Sequence, residues 1–257
     1  MADKVQALLE YIRYQQRAQT KYYLHSPFVY QFYLNVLEGQ QQFPEIEQLR
    51  AALLQNKTAI TLEDLGAKKG SYIRTIADIV SKAAISAKYG QVLSRLATYL
   101  DAKNILELGT SLGIGTAYLA LSVPHSSVIS IESSPSIADT ARTNLNTLGI
   151  QNATVLTGNF DAVLPEILPP HSKFDLIYID GNHRYEPTLR YYHLLKNNIT
   201  ENGCIVLDDI YWSKEMTKAW QEIKQDTNNT LTLDIYRMGF VFFGKEKLAK
   251  EDFVLRY

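Results

Sequence analysis

Gly109, Gly113 and Gly115 fall within Asn104–Thr116 (NILELGTSLGIGT), after a run of β-forming residues and at the start of a helical stretch. Without a Cβ, glycine tolerates unusual backbone angles at such a turn and lets a ligand approach the main chain closely. A dinucleotide fingerprint reads G-x-G-x-x-G, with the pyrophosphate on the helix N-terminus, whereas the spacing here is G-x-x-x-G-x-G, an order that disfavours a nicotinamide dinucleotide. Glu132, at the end of the next β-rich run (VISIESS), stands where a carboxylate accepts hydrogen bonds from both hydroxyls of a ribose. In Thr157–Asp161 (TGNFD), Asn159 is placed to read an adenine edge and Phe160 to pack on the ring.

A second group of residues is acidic. Asp180 ends a fourth β-rich run and the pair Asp208 and Asp209 ends a fifth. If these strands are neighbours, the three carboxylates converge at the C-terminal edge of a sheet, where open α/β folds bind ligands. Carboxylates gathered without a basic partner repel one another unless a cation neutralises them, and an oxygen-rich set suits Mg²⁺, Mn²⁺ or Ca²⁺ better than zinc. Strand-end aspartates also cap helices, which is the simpler reading of the same residues. His183, three residues after Asp180, is the candidate general base, since an imidazole titrates near neutral pH.

The elements that must position these residues are legible in the hydrophobic pattern. From about Asp3 to Leu62 the apolar residues recur at helical spacing (Val5, Leu8, Leu9, Ile12; Phe28, Phe32, Val36, Leu37), which predicts helices and no strands. Ser26-Pro27 opens one of them and Gly39 closes it. Asp64–Ser71 (DLGAKKGS) reads as a hinge-like loop, and a helical pattern resumes from about Ile73 to Leu100. Beyond Asn104, β-rich runs at 105–108, 128–131, 153–156, 174–179 and 204–207 alternate with helical stretches, the pattern of a parallel sheet covered on both faces. Leu231–Tyr236 and Phe240–Phe243, separated by a few residues that include Gly239, predict a terminal antiparallel hairpin.

Composition narrows the classes. The chain has 257 residues, 46% hydrophobic and 21% charged, as expected for a folded globular protein. A net charge of -1 creates no global field toward nucleic acid or an anionic membrane, so neither is an expected partner. A single cysteine, Cys204, excludes an intrachain disulfide and a cysteine-rich metal site. The first residues lack the pattern of a signal peptide, and no run approaches the roughly 18 apolar residues of a membrane span, which points to a cytoplasmic location.

ELGTSLGIGT, IESSPS, TGNFDAVLP, FDLIYIDGNH and GCIVLDD, in this order, resemble the class I S-adenosylmethionine (SAM)-dependent O-methyltransferases over roughly Lys88 to Phe243. The resemblance implies an α/β fold: a seven-stranded, Rossmann-like, mostly parallel sheet ending in an antiparallel hairpin, with an N-terminal helical cap. It divides the chain into a cap at 1–87 and a SAM-binding domain at 88–257. It implies that SAM is held by Glu107, Gly109, Thr110, Ser111, Gly113, Gly115, Glu132, Ser133, Asn159, Phe160 and Asp180.

Asp180, Asp208 and Asp209 match acidic positions of the catechol-type and macrocin-type enzymes, which implies a Mg²⁺ site holding two vicinal oxygens of a small-molecule acceptor. His183 stands where catechol-type relatives place a lysine base and some sugar-modifying relatives a histidine. Two other readings keep the cofactor: a metal-independent methyltransferase for another acceptor, and an inactive SAM-binding subunit. Lys88-Tyr89-Gly90-Gln91 resembles an element lying over the active site in these enzymes. Trp212 and Tyr185 are candidate pocket walls, and the tyrosines at 11, 14, 22, 23, 30 and 33 suggest a packing surface, an acceptor lid or a homodimer contact.

Overall fold

The helical start of the sequence becomes α1 (Ala2–Arg17) and α2 (Pro27–Phe32) in a computed structural model that describes residues 2–64, 70–168, 173–244 and 250–257. α2 runs on through a single π-helical turn, Tyr33–Leu37, and the chain leaves it just before Gly39, as the sequence predicts. Ser26 precedes Pro27 at the helix start, but its side chain does not cap; its hydroxyl donates to Glu251 at 3.3 Å. Two units make up the chain, Met1–Glu38 with Lys173–Tyr257, and Gly39–Ser172.

The Gly39–Ser172 unit opens with α3 (Pro44–Gln55) and continues into β1 (Ala59–Asp64) and β2 (Gly70–Thr75). This antiparallel pair corrects the expectation of an all-helical start. β-branched Ile60 and Thr61 favour extended backbone, and the run is held at both sides: the Ile76 amide donates to the Thr58 carbonyl and the Ser136 hydroxyl to the Thr61 carbonyl. The centre of the hinge-like stretch, residues 65–69, lies outside the described residues. The helical pattern beyond it is two helices, α4 (Ile76–Ala83) and α5 (Ala87–Tyr99).

Three strands then alternate with helices: β3 (Asn104–Leu108), α6 (Ile114–Ser122), β4 (Ser127–Glu132), α7 (Pro135–Thr147), β5 (Ala153–Thr157) and α8 (Phe160–Ile167). β4 pairs in parallel with both β3 and β5. Ile105, Leu106, Leu108, Val128 and Ile131 are buried, as strands covered on two faces require.

In the other unit the order is β6 (Phe174–Ile179), α9 (Tyr185–Leu195), β7 (Ile199–Leu207), α10 (Lys214–Gln225), β8 (Leu231–Asp234), β9 (Gly239–Phe242) and β10 (Glu251–Val254). β6 and β7 run parallel; β9 pairs antiparallel with β7 on one side and with β8 on the other. The terminal hairpin is therefore present. Apart from the β1–β2 pair, the mostly parallel α/β fold has eight strands among the described residues and not seven, because β10 adds itself in parallel to the free side of β8. The chain beyond β10 is fastened by the N-terminal helices: Tyr14 donates its hydroxyl to the Leu255 carbonyl at 2.6 Å and Tyr33 to that of Arg256 at 2.9 Å. Phe28 and Phe32 meet Phe242 and Phe240 edge-on. These contacts give part of the N-terminal aromatic stripe a packing role, while Tyr22 and Tyr23 are exposed.

Candidate active site

Each unit contributes one cluster of the residues singled out by sequence. In Gly39–Ser172 the cluster is built where β3 turns into α6. Gly109 (φ 107°), Ser111 (φ 48°) and Gly113 (φ 81°) all adopt left-handed backbone, the conformation for which glycine is the low-cost residue. Gly115 serves packing: a Cβ there would lie 2.6 Å from Glu107 Oε1. Glu107 is fully buried and accepts from the Thr116 hydroxyl at 2.5 Å and the Ser130 hydroxyl at 2.6 Å, while the Thr110 hydroxyl lies 2.5 Å from that of Ser130. Its carboxylate thus braces the loop from inside.

Glu132 ties the glycine loop to the turn after its own strand. One oxygen accepts the Ser111 amide at 3.0 Å; the other accepts the Ser134 amide at 3.0 Å and the Ser133 hydroxyl at 3.4 Å. Burial raises its pKa, and these hydrogen bonds only partly offset the rise. A carboxylate has about four acceptor sites and three are used here, so Oε2, with a single amide donor, retains capacity for a ribose hydroxyl. Asn159 is exposed and its Oδ1 caps α8 by accepting the Asp161 amide at 2.9 Å; Phe160 beside it is half-buried. Left-handed main chain with a fixed carboxylate at its edge fits an adenosine-bearing ligand such as SAM.

The second cluster lies in the other unit. Asp180 follows β6; its Oδ2 accepts the Tyr178 hydroxyl at 3.2 Å and its Oδ1 lies 3.4 Å from His183 Nε2. Burial opposes a charged His183, but the hydrogen bond to Asp180 and the charges of Asp180, Asp209 and Asp208 outweigh it and raise its pKa. Asp208 is wholly buried at the end of β7, and Asp209 follows in left-handed backbone (φ 52°). Burial and the neighbouring Asp180 charge push Asp208 upward against the pull of an arginine.

That arginine is Arg237, which the sequence reading passed over. It comes from the turn between β8 and β9 and grips Asp208 with two nitrogens, Nε to Oδ1 at 3.1 Å and Nη2 to Oδ2 at 2.9 Å; Nε also stands 3.5 Å from Asp209 Oδ1. The premise of three carboxylates without a basic partner is thereby corrected. In this arrangement the expected Mg²⁺ ligands do not fit a divalent ion: two of the three already share a guanidinium. Among the described residues no group of three or more His, Cys, Asp or Glu side chains is gathered to hold a metal.

Of the other singled-out residues, Trp212 is 73% exposed. Tyr185, at the start of α9, hydrogen-bonds Glu222 of α10 and carries Lys218 over its ring. Gly90 packs against the Tyr118 ring with no room for a side chain, and burial lowers the pKa of Lys88. Among the described residues no helix is long and apolar enough to cross a membrane.

Comparison with known proteins agrees with this geometry. Residues 106–210 match the family model described as "Methyltransferase domain". A catechol O-methyltransferase of Niastella koreensis is 30% identical over 49% of this chain and 57% of its own length. A protein-L-isoaspartate O-methyltransferase of Fervidobacterium nodosum is 31% identical over 60% of this chain and 76% of its own length. The chain belongs to the class I SAM-dependent O-methyltransferases. A solved member of that fold, the O-methyltransferase TomG of Streptomyces achromogenes in complex with SAM, superposes with a TM-score of 0.61 at 18% identity, covering 84% of this chain and 95% of that one. The two curated relatives act on different acceptors by name, so the matches show a family and name no acceptor for this chain. It spans little more than half the length of the catechol enzyme.

Proposed function

We propose that this O-methyltransferase moves a methyl group from SAM to a hydroxyl of a small-molecule acceptor, with His183 taking the proton. The observation that carries the reading is the His183–Asp180 pair at 3.4 Å, a base with a carboxylate to orient it and to stabilise the imidazolium that forms. Glu132 and the loop from Gly109 to Gly113 hold the donor, Glu107 keeps that loop in shape, and Asn159 and Phe160 flank the adenine. When bound, SAM supplies an electrophilic methyl on a sulfonium. His183 accepts the hydroxyl proton as the acceptor oxygen becomes nucleophilic, and Asp180 keeps the ring in one orientation. No divalent ion enters this reading, because Arg237 already serves Asp208 and Asp209.

The Fervidobacterium relative favours a second reading, transfer to a carboxylate oxygen. A carboxylate is already ionised and needs no base. One experiment separates the two: release of S-adenosylhomocysteine (SAH) from SAM across a panel of phenols, sugars and carboxylic acids, with His183→Gln in parallel. Turnover on hydroxyl acceptors that collapses in the variant supports the first reading. Turnover on carboxylates that survives it supports the second, and SAH binding with no turnover on any acceptor overturns both.

A further inference from the structure

The turn that carries Arg237 is held more firmly than a hairpin needs. Tyr236 sits in left-handed backbone (φ 71°), a costly conformation for an aromatic residue, and its amide is fixed by buried Asp234 Oδ1 at 2.8 Å. The Arg237 amide donates to the Ile235 carbonyl at 2.9 Å, and the Arg237 carbonyl accepts the Ile210 amide at 3.1 Å, joining the turn to the residue after Asp209. Tyr211 stacks on Tyr236 with ring centroids 5.5 Å apart, while its hydroxyl donates to Asp234 Oδ2 at 2.5 Å. Asp209, opposite, is itself in left-handed backbone. A strained Tyr236 and a left-handed Asp209 in facing turns therefore fix the guanidinium on the aspartate pair. Local strain of this kind persists where the surroundings over-determine it, and it clusters at working sites.

We propose that Arg237 is a built-in cation: it takes the place between Asp208 and Asp209 that a divalent ion would need, and methyl transfer in this enzyme is metal-independent. A guanidinium presents fixed donors to a carboxylate and stays charged at any working pH, so it neutralises the buried Asp208 without being supplied from solution. A divalent ion entering the same place would strip Arg237 of its partners and leave two cations side by side. Arg237 acts as a positioning residue, through the aspartates, for the Asp180–His183 pair beside them. The inference rests on the proposed function only in taking this cluster as the acceptor side.

The test is Mn²⁺ binding followed by electron paramagnetic resonance on the full chain, with Arg237→Met and Arg237→Lys, each checked for fold by SAH binding. The wild type is expected to leave Mn²⁺ free, Arg237→Met to bind it roughly tenfold or more tightly than wild type because two aspartates lose their cation, and Arg237→Lys to behave as wild type. Stoichiometric Mn²⁺ on the wild type overturns the proposal, as does an Arg237→Met protein that binds SAH but gains no Mn²⁺. If Arg237→Met fails to fold, the wild-type titration decides alone. Turnover lost to a chelator and restored by Mg²⁺ also overturns it. Because the Mn²⁺ signal needs no acceptor, failure here is distinguishable from failure of the O-methylation reading.

Discussion

Both candidate clusters bury carboxylates, and they neutralise them by different means. Glu107 and Glu132 rest on hydroxyls and backbone amides, so the cradle they brace depends on neutral donors fixed by the strands and turns. Asp180, Asp208 and Asp209 rest mainly on cations, Arg237 and a His183 with a raised pKa, with Tyr178 adding one hydroxyl. Neutral donors hold a shape whatever the surrounding charge. Paired charges hold one another, so removing one member strands the rest. The cradle is therefore suited to repeated binding of one ligand, and the ionic cluster to a step in which charge moves.

The largest expected effect follows from that difference. His183→Gln should lower kcat by roughly 10²–10⁴, the usual worth of a positioned base, while leaving SAH affinity where it was. Initial rates and SAH calorimetry on the same preparation check both halves. An equal loss in both would break the division between the two clusters.

Asp208→Ala should come next, at about 3–5 kcal/mol of unfolding free energy, because it leaves Arg237 half-buried beside Asp209 alone. Denaturant melts measure it. The double variant Asp208→Leu with Arg237→Met should recover most of that loss if pairing, and not packing, is what the single change destroys. On the neutral side, Thr116→Val removes a donor from buried Glu107 and should cost about 1–3 kcal/mol. The cost should be nearly the same at low and high salt, since no ion pair is involved. A strong salt dependence would show that the cradle is electrostatically held after all.

How much of this was visible in the sequence depends on how far apart the partners lie. The glycine loop, the strand ends and the His183–Asp180 spacing are local, and each is readable from a short window. Arg237 is not: its partner Asp208 is 29 residues away, and only the pairing of β9 with β7 brings them together. That pairing sets Leu207 opposite Gly239, and two more residues along the same antiparallel register put Arg237 opposite Asp209. The hairpin was legible, but not that β9 would insert between β7 and β8, so the register signal could not be used. β10 escaped for a related reason. Its four residues pair with β8 on one side, and the chain just beyond them is fastened by tyrosines from α1 and the π-helical turn, more than two hundred residues earlier. The β1–β2 pair was hidden by apolar residues that continue the helical count of α3.

The smallest effect concerns pH and Glu132. Its raised pKa means that protonation begins above the roughly 4.3 of an ordinary glutamate. In the proposed reading a ribose hydroxyl donates to the ionised carboxylate, so SAH affinity should be full above the raised value and fall as pH drops through it. Stability should move the other way. A carboxyl whose folded pKa exceeds its unfolded one binds more protons when folded, so it costs stability above the raised value and that cost is relieved on acidification. The measurement is wild type minus Glu132→Gln, by SAH calorimetry and by thermal melting without ligand, stepped across the window between the ordinary and the raised value. Opposite slopes in the two differences would mark Glu132 as the one titrating carboxylate of the cradle that faces the ligand. Parallel slopes would mean that its protonation loosens the Ser111 loop itself, and that the cradle depends on charge as the acidic cluster does.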